Sequence, residues 1–233
     1  MSMTLRAENL SRRYFRKTGQ ANHFFAVRDV SLAIKQGEVT VLMGRSGSGK
    51  TTLLHMLSGL LTPTEGKVWL DETDLYALND GALSKLRNAR FGVIPQGRSA
   101  IDTLTVLENL LLPAQLYGAR GNAEAAKRWM ERLDIAHLAD ARPAELSGGE
   151  LRRMAIARAL AQDPAVILAD EPTGDLDDEN TRNVLAVLRD AAKVDGRAVL
   201  IVSHDDEAVR YADAVYRMDG GRLSEAKTGD INE

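Results

Sequence analysis

The sequence predicts an α/β fold with a mostly parallel core sheet, an N-terminal antiparallel β subdomain and a helical subdomain, all in one domain of 233 residues. Three observations predict it. Short apolar runs at 39–43, 166–169 and 197–202 are each followed by a helical pattern, which implies parallel strands covered on both faces. Residues 4–43 read as strands and turns, whereas 79–142 read as helices. A glycine-rich loop at 44–49, the pair Asp170 and Glu171, and His204 all sit at the carboxyl ends of predicted strands, where such sheets place their active residues.

In chain order, 4–9 and 30–34 alternate apolar and polar residues, and Gln36 and Gly37 form a turn before the next strand. Residues 15–26 read as a polar hairpin loop containing Gly19, Phe24 and Phe25, with Tyr14 just before it. A helix follows the glycine loop at 52–57. Residues 59–66 are rich in breakers, and 67–71 is a strand. Asp80 can cap a helix through Arg87. Thr105 or Thr103 can cap another over 106–117, and 122–133 is a third, rich in Ala, Glu, Lys and Arg. Gly118, Gly121, Asp140 and Pro143 punctuate this segment. The α/β alternation then returns, with helices at 150–161, 180–194 and 205–212. Asp219, Gly220 and Gly221 turn a terminal hairpin. There is no internal repeat.

Hydrophobic residues make up 44% and charged residues 27%, a soluble globular composition. No apolar run approaches the roughly 20 residues that span a bilayer, and the first six residues have no signal-peptide core. The absence of cysteine excludes disulfides and thiolate metal sites and fits the cytoplasm. A net charge of −3 argues against a general nucleic-acid binder. The pairs Arg12–Arg13 and Arg152–Arg153 read as solvated faces.

Gly44, Arg45, Ser46, Gly47, Ser48, Gly49, Lys50 and Thr51 fit G-x-x-x-x-G-K-[ST] in full, between a strand and a helix. That context makes a nest of backbone N–H groups for a nucleoside triphosphate. Lys50 would meet the β- and γ-phosphates, and the Thr51 hydroxyl would ligate Mg²⁺, with Thr52 beside it. Asp170 ends an apolar strand and is a second Mg²⁺ candidate. Glu171 stands where a general base could deprotonate water. His204, in a Ser-His-Asp order at another strand end, is a γ-phosphate contact. Ser147, Gly148, Gly149 and Glu150, preceded by Leu146, open a second anion-binding helix N-terminus. One triphosphate rarely needs two such ends. A head-to-tail pair of chains would use both.

In these stretches, GRSGSGKT, LSGGE followed by RRMAIARAL, VILADEPTGDLD and IVSH, the chain resembles the ATP-binding subunits of ABC transporters over nearly its whole length. The resemblance implies a P-loop NTPase fold. Residues of about 4–78 and 160–233 would form the β and RecA-like core, and about 79–159 a helical subdomain ending in the signature helix. It implies ATP and Mg²⁺ as cofactors and ATP hydrolysis. The adenine-stacking aromatic falls on Tyr14, with Phe24 or Phe25 as alternatives. The glutamine that senses Mg²⁺ and couples to the membrane subunit falls on Gln96, which residue chemistry alone does not single out. The Walker B aspartate falls on Asp170, the catalytic glutamate on Glu171, the D-loop aspartate on Asp177 and the switch histidine on His204. The implied partners are a second copy and a separate integral membrane permease. The implied location is the inner face of the cell membrane.

The 15–26 insertion, LTVLEN with Leu112 and Pro113, and Pro143-Ala144-Glu145 are most similar to the lipoprotein-release, macrolide-efflux and antimicrobial-peptide exporter branch. Arg45, Pro95, Glu150 and Asp175 depart from common family residues, and none removes a catalytic group. Pro95 lacks an N–H and restricts Ile94, so it bears on the coupling loop. Alternatives to a transport ATPase are a soluble assembly scaffold and a nucleotide-gated regulatory module of a membrane complex.

Overall fold

The computed structural model describes residues 4–15, 23–117 and 122–226. The elements are β1 (Thr4–Phe15), β2 (His23–Lys35), β3 (Val39–Met43), α1 (Lys50–Leu57), β4 (Glu65–Leu70) and β5 (Thr73–Asp74). Then come α2 (Asp80–Arg90), β6 (Phe91–Ile94), α3 (Val106–Gln115), α4 (Ala123–Arg132) and α5 (Gly148–Leu160). The chain ends with β7 (Val166–Asp170), α6 (Asp178–Lys193), β8 (Ala198–Ser203), β9 (Ala214–Asp219) and β10 (Arg222–Glu225).

Two sheets result. The core sheet runs β10-β9-β3-β8-β7-β6, parallel throughout except for the β9–β10 hairpin. Every residue of β3, β7 and β8 is buried, as expected for central parallel strands covered on both faces. Side chains alternate between the two faces. Val39, Val41 and Met43 join the core built with α3–α6, whereas Leu42 joins the core shared with α1 and the second sheet. That second sheet, β2-β1-β4-β5, is antiparallel and lies across α1. The predicted architecture is the one observed.

Helix starts follow local chemistry. Thr105, rather than Thr103, caps α3 in a full capping box with Glu108. Asn122 caps α4 and Asp177 caps α6. Asn79, not Asp80, caps α2: its Oδ1 accepts the Ala82 N–H at 2.9 Å, and the helix runs on to Arg90.

Three further expectations need correction. Residues 91–94 fall inside the stretch whose pattern is helical, but they form β6 at the edge of the core sheet. Gly92 permits this, because a Cβ there would meet Pro164 Cγ at 2.8 Å and Ala159 O at 2.9 Å. The hairpin loop is shorter than 15–26. Strand pairing continues to Phe15 and His23, so Phe24 and Phe25 lie in β2. Arg152 is buried rather than solvated. The short helix expected at 205–212 is present as a 3-10 helix, Asp206–Tyr211. The turn signals at Gly19, Gly118 and Gly121 lie outside the described residues. No helix among the described residues is long and apolar enough to cross a membrane.

Candidate functional site

β3 delivers the chain to the glycine loop, and α1 carries it away. Gly49 holds φ 109, and a Cβ on it would meet Ala26 O at 2.0 Å, so only glycine fits between the loop and β2. The Lys50 ammonium folds back on the loop, donating to Gly44 O at 2.6 Å and Arg45 O at 3.0 Å. It therefore stands over the loop's concave side, where phosphate oxygens would replace those carbonyls.

A cavity of about 890 Å³ opens there. Residues 45–52 line it, together with Tyr14, Gln96, Asp170, Glu171 and His204. Four segments far apart in sequence thus meet, because the core sheet brings the ends of β3, β6, β7 and β8 side by side. Phe24 and Phe25 line it too. The Tyr14 and Phe24 rings stack at 5.7 Å, and the Arg12 guanidinium lies 4.9 Å from the Tyr14 ring centre. The aromatic wall is therefore a cluster rather than one ring.

Glu171 holds φ 51, a left-handed conformation rare for its type. Its N–H donates to Val202 O at 2.8 Å, and its Oε2 lies 2.8 Å from His204 Nδ1 in a hydrogen bond. Asp170 is 2% exposed, and neither carboxylate oxygen has a well-formed hydrogen bond. Burial pushes its pKa up. The neighbouring Thr51 hydroxyl opposes this, and the Glu171 charge reinforces it. A buried carboxylate short of donors, sharing a cavity with the Thr51 hydroxyl and the Gln96 amide, is a hard-oxygen set that fits Mg²⁺.

Among the described residues, the Ser147 end of α5 does not line this cavity, and neither does Asp177. Ser147 instead caps α5: its N–H and its hydroxyl both donate to Glu150 Oε2 at 2.7 Å. Those bonds hold the Glu150 carboxyl below its usual range. Asp177 accepts the Asn180 N–H at 2.8 Å and faces solvent.

The ABC transporter family profile matches residues 27–174. The chain belongs to that family. As an ATP-binding cassette and an ATPase, it is 39% identical to the uncharacterised ABC transporter ATP-binding protein MJ0796 of Methanocaldococcus jannaschii, over 94% of each chain. The dimeric MJ0796 cassette superposes with a TM-score of 0.88 at 35% identity, over 96% of this chain and 98% of that one. Its post-hydrolysis dimer bound to ADP and Pi matches with the same TM-score at 34% identity over the same shares. A nucleotide-free ABC transporter cassette matches with a TM-score of 0.81 at 28% identity, over 99% of this chain and 93% of that one.

Sequence reasoning missed one residue of the cassette's site. Arg152 is 8% exposed. Its Nε donates to Pro172 O at 3.1 Å, Nη1 to Pro95 O at 2.6 Å, and Nη2 to Asp170 O at 2.6 Å and also to Glu171 O. A signal was present, since Arg152 shares its helix face with the buried Ile156 and Ala159 at spacings of four and seven residues.

Proposed function

We propose that this cassette works as a head-to-tail pair that binds two ATP at its interface and powers a separate integral membrane permease or a mechanotransmission complex. The observation that carries the pairing is the separation of two anion-binding helix ends. The Lys50 end of α1 lines the nucleotide cavity, while the Ser147 end of α5 does not. A second copy supplies the missing end and, through Asp177, contacts the shared interface. The dimeric form of the related MJ0796 cassette supports this reading.

Catalysis is then positioning and electrostatics. Tyr14, with Phe24 and Phe25 beside it, packs on the adenine. Lys50 exchanges the Gly44 and Arg45 carbonyls for the β- and γ-phosphate oxygens. Thr51, Asp170 and Gln96 would hold Mg²⁺, which supplies positive charge to the phosphates when bound. Glu171 accepts a proton from the attacking water, and His204 orients that carboxylate and contacts the γ-phosphate. Gln96 relays the state of the site to the permease, which would hold the cassette at the inner face of the membrane.

The experiment is E171Q with ATP, followed by size-exclusion chromatography and steady-state turnover. A dimer with little turnover is expected. A monomer that still hydrolyses ATP would sink both the pairing and the base assignment. Co-purification of the wild type with an integral membrane protein that stimulates its ATPase tests the partner.

A further inference from the structure

Arg152 joins two segments that lie far apart in the chain. Its guanidinium binds the carbonyl before Gln96, the two carbonyls of the Asp170–Glu171 strand end, and the carbonyl of Pro172 beyond it. The same helix grips the Gln96 loop a second time, where Arg158 donates to Ser99 O at 2.7 Å and to Ser99 Oγ at 2.6 Å. Five residues before Arg152, Ser147 caps that helix. Glu171 is clamped on both sides of its backbone, its N–H by Val202 O and its carbonyl by Arg152. With φ at 51 held from both ends, the direction of its carboxylate follows the position of α5. A guanidinium suits this task, because its planar fork fixes orientation and it stays charged in the interior.

We propose that Arg152 is a positioning residue that carries the seating of Ser147 on a second copy's triphosphate to Glu171 and the Gln96 loop of its own site. The inference rests on the paired arrangement proposed above. Each subunit's signature end reads one ATP, while its Glu171 acts on the other. Arg152 is the hydrogen-bonded link between them.

The test compares wild type, R152Q, R152K, E171Q and the double variant R152Q/E171Q as full chains, with thermal melting as a folding control. The expected result for R152Q is a kcat at least about tenfold lower with KM for ATP within about twofold, the signature of lost transition-state positioning. R152K should recover little, because a point charge cannot hold four carbonyls. The double variant should still dimerise on ATP as E171Q does, since Ser147 and the glycine loop are intact. An unchanged kcat in R152Q overturns the proposal. Full rescue by lysine also overturns it, by showing that charge alone suffices. Failure of the double variant to dimerise while E171Q succeeds overturns it too, reducing Arg152 to a scaffold of α5. If E171Q itself stays monomeric with ATP, the paired reading falls, and transmission from a second copy falls with it.

Discussion

His204 Nδ1 lies 2.8 Å from Glu171 Oε2, bridging the ends of the adjacent parallel strands β8 and β7. The imidazole side chain is 73% exposed and the carboxylate 13%, so the histidine reaches in from the solvent side to a half-enclosed base. H204A should lower kcat for ATP by about 10-fold to 100-fold, the value of a hydrogen bond to a charged group, with little change in KM. Steady-state hydrolysis across ATP concentrations decides it. An unaltered kcat would leave Glu171 oriented by its backbone alone.

The glycine loop tests nucleotide binding separately from turnover. G49A places a Cβ against Ala26 O at a backbone angle that L-residues avoid. It should destabilise the fold by about 2 kcal/mol or more and abolish ATP binding. K50A leaves the backbone alone and removes only the ammonium that spans Gly44 and Arg45. It should fold normally and weaken ATP affinity by about tenfold or more, since a charge-assisted contact to phosphate is lost. Calorimetric titration of both variants separates the two effects, and wild-type affinity in K50A would refute the role of Lys50.

The nucleotide cavity was legible because its parts are local. A glycine loop between a strand and a helix, or two carboxylates after an apolar run, depend on neighbours in sequence. β6 was not legible, because four residues following a helix without a break carry too little pattern, and what admits them is the contact of Gly92 with Pro164. The burial of Arg152 is not legible for a related reason. A charged residue beside another charged residue reads as surface, yet its four carbonyl partners come from segments about 20 and 57 residues away in the chain. Tyr14, Phe24 and Phe25 stayed undivided even in the structure, because strand pairing puts Tyr14 directly opposite Phe24.

Ser147 has two tasks that one variant can separate. Its hydroxyl accepts the Glu150 N–H at 3.3 Å as part of the α5 capping box, and the proposed dimer needs the same helix end for the second copy's γ-phosphate. S147A should cost about 1 kcal/mol of stability through the lost cap, a fall in Tm of about 2–4 °C for a chain of this size. ATP binding to the single chain should be unaffected, while ATP-dependent dimerisation in an E171Q background should weaken severely. Dimerisation as strong as in E171Q alone would place the γ-phosphate contact elsewhere.

The start of β3, the strand that feeds the glycine loop, is fastened by Asp213. Its Oδ2 accepts the Val39 N–H at 2.7 Å, and Lys193 donates to its Oδ1 at 2.6 Å. Burial acts to raise the Asp213 pKa, but the Lys193 ammonium and the Val39 amide outweigh it and hold the carboxyl below its usual range. A depressed folded pKa stabilises above the unfolded value of about 3.9 and loses that contribution as pH falls through the folded value. D213N keeps an acceptor for Val39 and removes the charge. With the side chain about a third exposed, it should lower stability at pH 7 by about 1 kcal/mol or less. Urea midpoints should show that deficit at pH 7 and pH 5 and show it closing as pH falls below the unfolded value of about 3.9 and the wild-type carboxyl protonates. A deficit that stays constant across that range would mean that packing, not charge, ties Asp213 to the strand.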